Sequence, residues 1–491
     1  MSIKRMLPIV LACFLVLPVF FGCANGTGDG TTAPTTTAQV IPDESEEASE
    51  TESDYVADGL PETMNLDRTV TILYDTKTSA QEFFADDTNG EAINDAIYAR
   101  NAAIEARLNV TLKYVGEVGN HDNQNVYLNK AKADTDGEFD IYGAYSRTCA
   151  YCAMNGLCYN LVNTQYFDIE KPWWPEALTK ECLIKNKLYF CSGDISTNLL
   201  WYMSALFINL DMWNDANPGY SLYDTVEKKE WVLDKFAEIC KSFYGDENGS
   251  QTVDIGDRFG IVGYDACFDA FLNSSGVISI IKDADGNLAL NPDFLGERTV
   301  DIVNRMALIT RDASCHHSDV SKDEKAIFYD GRSLFIVDGP QIISSGGADL
   351  PFVLGMIPLP MFNSEQENYI TNIRYPFNIY AISARCEDPD AASAVLEALA
   401  SSSYNNITPI IFEVVMKMRY SADSTASRMY DILRDTVCFD LGRVLNYSVG
   451  NFYPNFRKCC FNNTNWSTAA KSIKGSAERF LNTIMKDVYN K

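Results

Sequence analysis

Aromatic residues that stand beside charged or amide residues give this chain its clearest candidates for binding chemistry. The sequence contains 26 Tyr, 26 Phe and six Trp residues. A sugar ring offers apolar C–H faces to aromatic rings and hydroxyl groups to Asp, Asn and Arg. The candidates at the ends of predicted strands are Asp75, Tyr145, Arg147, Tyr264 and Asp338. As a group they predict a saccharide ligand rather than a metal ion or an amino acid, although any single aromatic could simply seal a domain edge.

Catalysis is the rival class of function. The three histidines are His121, His316 and His317, and the sequence has no H-E-x-x-H, G-x-S-x-G, phosphate-loop or G-x-G-x-x-G motif. Because the side chains of adjacent residues diverge, we predict that His316 and His317 lie in a surface turn. A glycosidase needs only two carboxyl groups, and 67 acidic residues leave that possibility open. We predict a protein that is not an enzyme and has no catalytic residues, with a carbohydrate-active hydrolase as the alternative.

The sequence gives only weak indications of a metal or cofactor site. Six oxygen-bearing residues between Asp246 and Asp257 occupy the intervals of a calcium loop, but that loop lacks Gly at its sixth position and ends on Asp. A polar solvated loop is the alternative, and the sequence does not decide between them. Twelve cysteines follow Cys23, in a pattern that favours buried thiols or disulfides over zinc. We predict no metal and no cofactor.

The N-terminus has the layout of an export signal. Lys4 and Arg5 precede an uncharged run over 7–21, and Gly22-Cys23 follows. Residues 1–22 resemble a bacterial lipoprotein signal peptide, which implies lipidation of Cys23, although Phe20 stands where such signals usually carry Leu. An ordinary cleaved signal or an anchor helix is the alternative.

The segment 23–65 has the composition of a disordered, acidic linker. It carries ten acidic residues and no Lys or Arg between Ala24 and Asn65. The whole chain has a formal charge of −27, which argues against nucleic acid or anionic lipid as a partner. We therefore predict a protein tethered to the extracellular face of the membrane, at the cell surface or in a periplasm, through its lipid anchor only.

The body from 66 onwards predicts an α/β fold. Hydrophobic alternation over 70–74 and 110–114 flanks a helical stripe over 93–108, which together form a βαβ unit with parallel strands. The apolar runs 206–208 and 334–337 predict buried central strands.

The order of short segments along the body resembles one family, the extracellular solute-binding proteins of ABC importers, and within it the maltodextrin binders of family 1. No single segment is specific, and the resemblance rests on their shared order. The segments are Asn94–Ile97, Glu138–Tyr142, Lys187–Tyr189, Gly193–Ser196, Leu206–Asn209, Tyr329–Arg332, Val337–Pro340, Gly355–Pro360 and Asp388–Ala392.

This resemblance implies a type II periplasmic-binding-protein-like fold, with two α/β domains, a hinge and a ligand cleft between the domains. By analogy the first domain holds 66–202 and 372–404, and the second holds 203–371 and 405–491. The remaining candidate ligand-binding residues lie near the two chain crossings: Trp201, Tyr202, Tyr375 and Asn378. The implied function is capture of a solute, expected to be a sugar or oligosaccharide, by a monomer that delivers it to a membrane permease. A surface adhesin on the same anchor is a further alternative.

Overall fold

The computed structural model describes residues 55–319, 323–344, 350–413, 424–446 and 449–490. Tyr55–Lys491 forms one compact unit. The predicted signal peptide, the lipidation site Cys23 and residues 23–54 of the predicted linker lie outside the described residues, whereas 55–65 belong to the compact unit, where Asp58 pairs with Arg107.

Two sheets organise the described chain. Its strands are β1 (Arg68–Asp75), β2 (Val110–Glu117), β3 (Ile141–Tyr145), β4 (Ala205–Asn209), β5 (Phe259–Tyr264), β6 (Ile280–Lys282), β7 (Leu288–Leu290), β8 (Cys315–Ser318), β9 (Ser333–Asp338), β10 (Leu354–Pro358), β11 (Thr371–Asn372), β12 (Asn378–Ile382) and β13 (Val437–Cys438).

Helices connect and cover these strands. They are α1 (Ala80–Phe83), α2 (Ala92–Leu108), α3 (Gln124–Ala133), α4 (Ser146–Met154), α5 (Glu176–Cys182), α6 (Asn198–Trp201), α7 (Leu210–Ala216), α8 (Leu222–Glu227), α9 (Leu233–Ser242), α10 (Ala270–Ser274), α11 (Pro292–Leu295), α12 (Glu297–Thr310), α13 (Asp323–Tyr329), α14 (Gln341–Ser344), α15 (Pro389–Ser402), α16 (Ser424–Asp435), α17 (Leu441–Val444), α18 (Phe452–Phe461) and α19 (Trp466–Ile484). Short 3-10 helices cover Leu161–Asn163 and Asp265–Asp269, and π-helical turns cover Ser403–Ile407 and Met485–Tyr489.

The first sheet has the strand order β12-β3-β1-β2. Strands β1 and β2 are parallel, as the alternating apolar residues on either side of α2 predict, and β1 is also parallel to β3. β12 joins the edge antiparallel to β3 after the chain has passed through the second sheet. The predicted βαβ unit and α/β class are confirmed, and the sheet is mixed because β12 runs the opposite way.

The second sheet has the order β10-β4-β9-β5-β8. β5 is parallel to both β8 and β9, whereas β4 is antiparallel to β9 and β10. All five residues of β4 and all six of β9 are buried, which agrees with the apolar runs that predicted them. The prediction of a surface turn at His316 and His317 is wrong, because both residues lie in β8 and pair with Val262 and Gly263 of β5.

The chain crosses between the two sheets along paired segments. The amide of Ser204 donates to the carbonyl of Asn372 at 2.8 Å, and the amide of Arg374 donates to the carbonyl of Tyr202 at 2.8 Å. Met203 and Ile373 form an antiparallel bridge between these two bonds. Two backbone strands therefore run side by side where the chain leaves the first sheet and where it returns.

The C-terminal helices lie beside the second sheet. Helix α18 packs against α12, and α19 packs against α12, α18 and β7. In the part of the chain that the structure describes, no helix is long and apolar enough to cross a membrane.

The twelve cysteines within the described residues are all free thiols, and eleven of them are buried. Of the two possibilities that the sequence left open, the structure shows buried thiols rather than disulfides. In the loop over Asp246–Asp257, Asp246 accepts hydrogen bonds from the amides of Ser250 and Gln251, and Asp254 accepts one from Gly256. The described residues include no group of three or more His, Cys, Asp or Glu residues placed to hold a metal ion.

Candidate ligand-binding cavity

A cavity of about 410 Å³ lies at the carboxyl ends of strands from both sheets. The first sheet contributes the residues that follow β1, β2 and β3, and the second contributes the end of β5 and the turn after it. The crossing segment Arg374–Pro376 and the helices α17 and α18 complete the wall. In open α/β sheets this edge is where ligands bind, because loops diverge there and leave a crevice.

Tyr145 and Arg147 reach this cavity because β3 ends at Tyr145 and α4 begins at once. The Arg147 guanidinium lies 4.1 Å from the ring centroid of Tyr375 and 5.8 Å from that of Tyr145. The Arg443 guanidinium lies 4.4 Å from the Tyr375 centroid. The ring of Tyr375 thus contacts and orients two arginines in the cavity wall.

Tyr264 is the last residue of β5, and its side chain is 38% exposed. It lines the cavity together with Thr78 and Asn446, which carry a hydroxyl and an amide group. A half-exposed aromatic ring beside hydrogen-bonding side chains can stack on a sugar and bind its hydroxyl groups. The structure therefore brings together Tyr145, Arg147 and Tyr264, which were predicted at strand ends, and Tyr375, which was predicted at a chain crossing.

Asp269 is the carboxylate in the wall. It lies 3.2 Å from Arg443 Nη1 and 2.9 Å from Arg457 Nη1, with only 3% of its side chain exposed. Burial raises the pKa of Asp269, and the guanidiniums of Arg457 and Arg443 offset part of that shift. This single carboxylate ties α17 and α18 to the 3-10 helix that follows β5.

Asp338 lies behind the wall. Its carboxylate pairs with Arg374 Nη2 at 2.5 Å and with Lys325 Nζ at 3.6 Å, and it accepts a hydrogen bond from Gln341. Arg374 in turn donates to the sulfur of Cys267 at 2.7 Å. Asp338 therefore fixes the crossing segment by holding Arg374.

Trp201 and Tyr202 lie on a neighbouring depression of about 540 Å³, which residues around α2 and the side chain of Gln341 also line. The ring of Tyr202 lies 5.7 Å from the guanidinium of Arg374, which lines the cavity at the strand ends. A larger depression, about 820 Å³, lies between β7, α11 and α19, away from the strand ends.

Asp75 and Asn378 are fully buried supports. Asp75 accepts hydrogen bonds from the amides of Lys77 and Gly119 and from the hydroxyl of Thr78. Asn378 donates to the carbonyl of Thr78 at 2.7 Å and to the carboxylate of Glu82 at 2.6 Å. Both residues position the loop that carries Thr78, and neither lines the cavity.

Glu82 joins the segments beneath this loop. It accepts hydrogen bonds from the Ser196 hydroxyl, the Asn198 amide, Asn378 Nδ2 and the Tyr380 hydroxyl, at 2.6–3.1 Å. Complete burial raises the pKa of Glu82 from 4.5 to about 7, against the opposing effect of these donors.

Replacing Glu82 by Gln is expected to weaken the pH dependence of stability. Since the folded state holds its proton up to about pH 7 and the unfolded state only to about 4.5, the wild type loses stability as the pH rises between these values. Burial also raises the pKa of Glu397, to about 8, so a slope remains in the variant. Urea denaturation of both proteins at several pH values measures the difference, and equal slopes would contradict it.

The fold of this chain is similar to that of proteins whose structures have been solved. A cyclo/maltodextrin-binding protein complexed with maltotetraose is similar over 85% of this chain and 97% of its own, at 12% identity and a TM-score of 0.56. A family 1 extracellular solute-binding protein from Bifidobacterium longum subsp. infantis matches over 84% and 99%, at 13% identity and a TM-score of 0.52. This chain has the fold of the extracellular solute-binding proteins.

UgpB from Mycobacterium tuberculosis, in complex with glycerophosphocholine, has the same solute-binding fold over 79% of this chain and 95% of its own, at 14% identity and a TM-score of 0.51. No family model and no curated protein matches the sequence. The predicted two-domain, periplasmic-binding-protein-like α/β class is confirmed, while identities this low show the fold alone.

Several cavity residues of this solute-binding fold were not among the predicted ones. They are Lys77, Thr78, Asn120, His121, Asp269, Arg374, Arg443, Asn446, Tyr453 and Arg457. Tyr453 and Arg457 stand four residues apart on α18, a spacing that places both on one helix face. This spacing could have indicated that Tyr453 and Arg457 belong to one site. No local feature of the sequence, however, indicates that α18 reaches the strand ends.

Proposed function

We propose that this protein is the substrate-binding component of an ABC importer and delivers a captured solute to a membrane permease. The observation that carries the proposal is the cavity to which both sheets contribute strand ends, in a chain with the solute-binding fold. A site shared by two sheets can close when they approach each other, and closure surrounds the ligand and excludes water.

The paired crossing segments Tyr202–Ser204 and Asn372–Arg374 are the proposed hinge. This assignment follows the predicted division into a first domain of 66–202 and 372–404 and a second of 203–371 and 405–491. Few backbone dihedrals in such short segments need to change for two domains to rotate. The hinge includes Arg374 and Tyr375 follows it directly, so rotation would move the cavity wall directly.

A saccharide is the proposed solute class. Tyr264 offers an aromatic face, and the hydroxyl and amide groups of Thr78, Asn120 and Asn446 offer partners for sugar hydroxyls. The similar structures include proteins in complex with maltotetraose and with glycerophosphocholine, so the fold accommodates an oligosaccharide as well as a glycerol phosphodiester.

Binding without chemistry fits the cavity better than hydrolysis does. Glycoside hydrolysis needs two carboxyl groups on either side of the scissile bond. Among the described residues that line the cavity, Asp269 is the one carboxylate, and two arginines hold it. This favours a binding protein over the alternative of a carbohydrate-active hydrolase.

The proposed location is the extracellular face of the cell membrane, with the chain anchored through lipidated Cys23. The charged N-terminus, the apolar run and Gly22-Cys23 support this, together with the acidic linker 23–65. The linker would hold the binding body away from the membrane, within reach of both the solute and the permease.

A thermal-shift screen of the purified protein tests the function. The panel contains mono- and oligosaccharides, amino acids, peptides and metal ions. A saccharide at about 100 times its dissociation constant is expected to stabilise the protein by roughly 2.7 kcal/mol, a rise of a few degrees in Tm. Chromatography should recover the sugar unchanged. A cleaved sugar would identify a hydrolase, and no shift with any small solute would favour the adhesin.

A further inference from the structure

The cavity wall carries charge of the opposite sign to the chain as a whole. The formal charge of the protein is −27. Five cationic side chains nevertheless line this one cavity: Lys77, Arg147, Arg374, Arg443 and Arg457. Among the described lining residues the only carboxylate is that of Asp269. A concentration of guanidinium groups on an otherwise acidic body needs an explanation beyond solubility.

Three further carboxylates near the cavity do not line it and are already engaged in other contacts. Asp75 accepts hydrogen bonds from the amides of its own loop and of Gly119, and Asp338 pairs with Arg374. Asp440 accepts hydrogen bonds from Ser279 and from the hydroxyl of Tyr453. A solute that enters the cavity therefore meets the cations first, with one carboxylate shared between Arg443 and Arg457.

The arginines are held in place before any ligand arrives. Arg147 and Arg443 lie 4.1 and 4.4 Å from the centroid of Tyr375, and Arg443 also lies 5.0 Å from that of Tyr453. The Arg443 residue is 3% exposed, and its Nε has no hydrogen-bond partner among the described residues. Planar guanidiniums fixed in this way suit bidentate binding of a carboxylate, phosphate or sulfate group.

We infer that the solute of this cavity is an anionic saccharide, whose carboxylate, phosphate or sulfate group binds to the guanidinium cluster formed by Arg147, Arg443 and Arg457. The inference rests on the proposed function and names the substrate class of the same site. Five cationic side chains and one carboxylate line the cavity among the described residues, so an anionic group offsets the excess positive charge as the cavity closes and a neutral sugar does not. Tyr264 remains the surface for the sugar ring itself.

Isothermal titration with matched ligand pairs tests the inference. The probes are oligosaccharides that contain a uronic acid, a phosphate ester or a sulfate ester, each paired with its uncharged counterpart. At least one anionic member is expected to bind about tenfold or more tightly than its counterpart. Its affinity should fall as salt is added, and the three probe types show which anionic group the cavity takes.

Variants locate the effect in the cavity. Arg147→Gln is expected to weaken binding of the anionic ligand about tenfold or more and to weaken binding of the neutral counterpart by a clearly smaller factor. Arg147→Lys keeps the charge but loses the fork, so it should show an intermediate loss. Arg428→Gln on α16 is the matched control, because it removes the same charge from an exposed side chain outside the cavity. Thermal melts of each variant confirm that it is folded.

The outcomes distinguish a failure of this inference from a failure of the proposed function on which it rests. If neutral sugars bind as tightly as their anionic partners and Arg147→Gln changes neither affinity, the anionic inference is overturned while solute binding stands. If no member of any pair binds to the folded wild type, both the inference and the proposed saccharide function are contradicted.

Discussion

Replacing Asp269 by Ala is expected to lower the free energy of unfolding by about 3–5 kcal/mol, because it leaves buried arginines without their counter-charge. Both arginines lose the same partner. The Asp269 carboxylate lies 3.2 Å from Arg443, whose side chain is 4% exposed, and 2.9 Å from Arg457. The two helices that carry these arginines then lose their polar link to the segment after β5. Urea denaturation of the variant and the wild type measures the loss.

Asp234→Ala is the matched control for this change. Asp234 also forms a short pair with an arginine, Arg305, but 65% of its side chain is exposed. An exposed ion pair contributes about 0–1 kcal/mol, because water solvates both charges. If the two substitutions destabilise the protein equally, burial is not what makes the Asp269 pair matter.

Gly260→Ala is expected to destabilise the protein by about 3 kcal/mol, since the added methyl group would overlap the backbone of helix α9. A Cβ on Gly260 would lie 2.0 Å from the carbonyl oxygen of Cys240 and 2.5 Å from its carbonyl carbon. Backbone atoms cannot move aside as a flexible side chain can. β5 ends at Tyr264, so a shift of this strand also moves the aromatic face of the cavity.

Gly475→Ala, the same substitution at another position, is expected to stabilise the protein slightly. Gly475 is exposed within α19, and a Cβ there meets nothing closer than the end of the Arg479 side chain at 3.6 Å. Alanine in a helix interior is favoured over glycine by roughly 0.5–1 kcal/mol. Thermal melts of both variants should show a large fall in Tm for the first and a small rise for the second. A similar Tm for both would contradict the packing argument.

Local periodicity was sufficient for the elements that form from neighbouring residues. The alternation at Val70 and Ile72, and the stripe that ends at Leu108, predicted β1 and α2 from neighbouring residues alone. The buried stripe of α2 packs against β2 and α15. Asp388 followed by proline is likewise a local pattern typical of a helix start, and α15 begins there, where the Asp388 side chain accepts from the Ala391 amide.

Contacts between distant parts of the chain could not be predicted in this way. β8 reads Cys-His-His-Ser without an apolar alternation, and only its pairing with β5, more than 50 residues earlier, makes it a strand. The cavity shows the same limit. Strand ends indicated Tyr145 and Tyr264, but Arg443 and Arg457 reach the cavity from helices near the end of the chain.

The rate at which the free thiols react with an alkylating reagent can measure local opening of this protein. Burial raises the pKa of all twelve thiols in the described residues, so each is protonated at neutral pH, and the eleven buried ones are also shielded from alkylating reagents. A reagent can modify them only when the surrounding structure opens. Cys267 lies in the cavity wall and the others elsewhere, so a bound solute should slow its labelling selectively. Mass spectrometry of individual cysteines would then map, without any introduced probe, which regions a ligand holds shut.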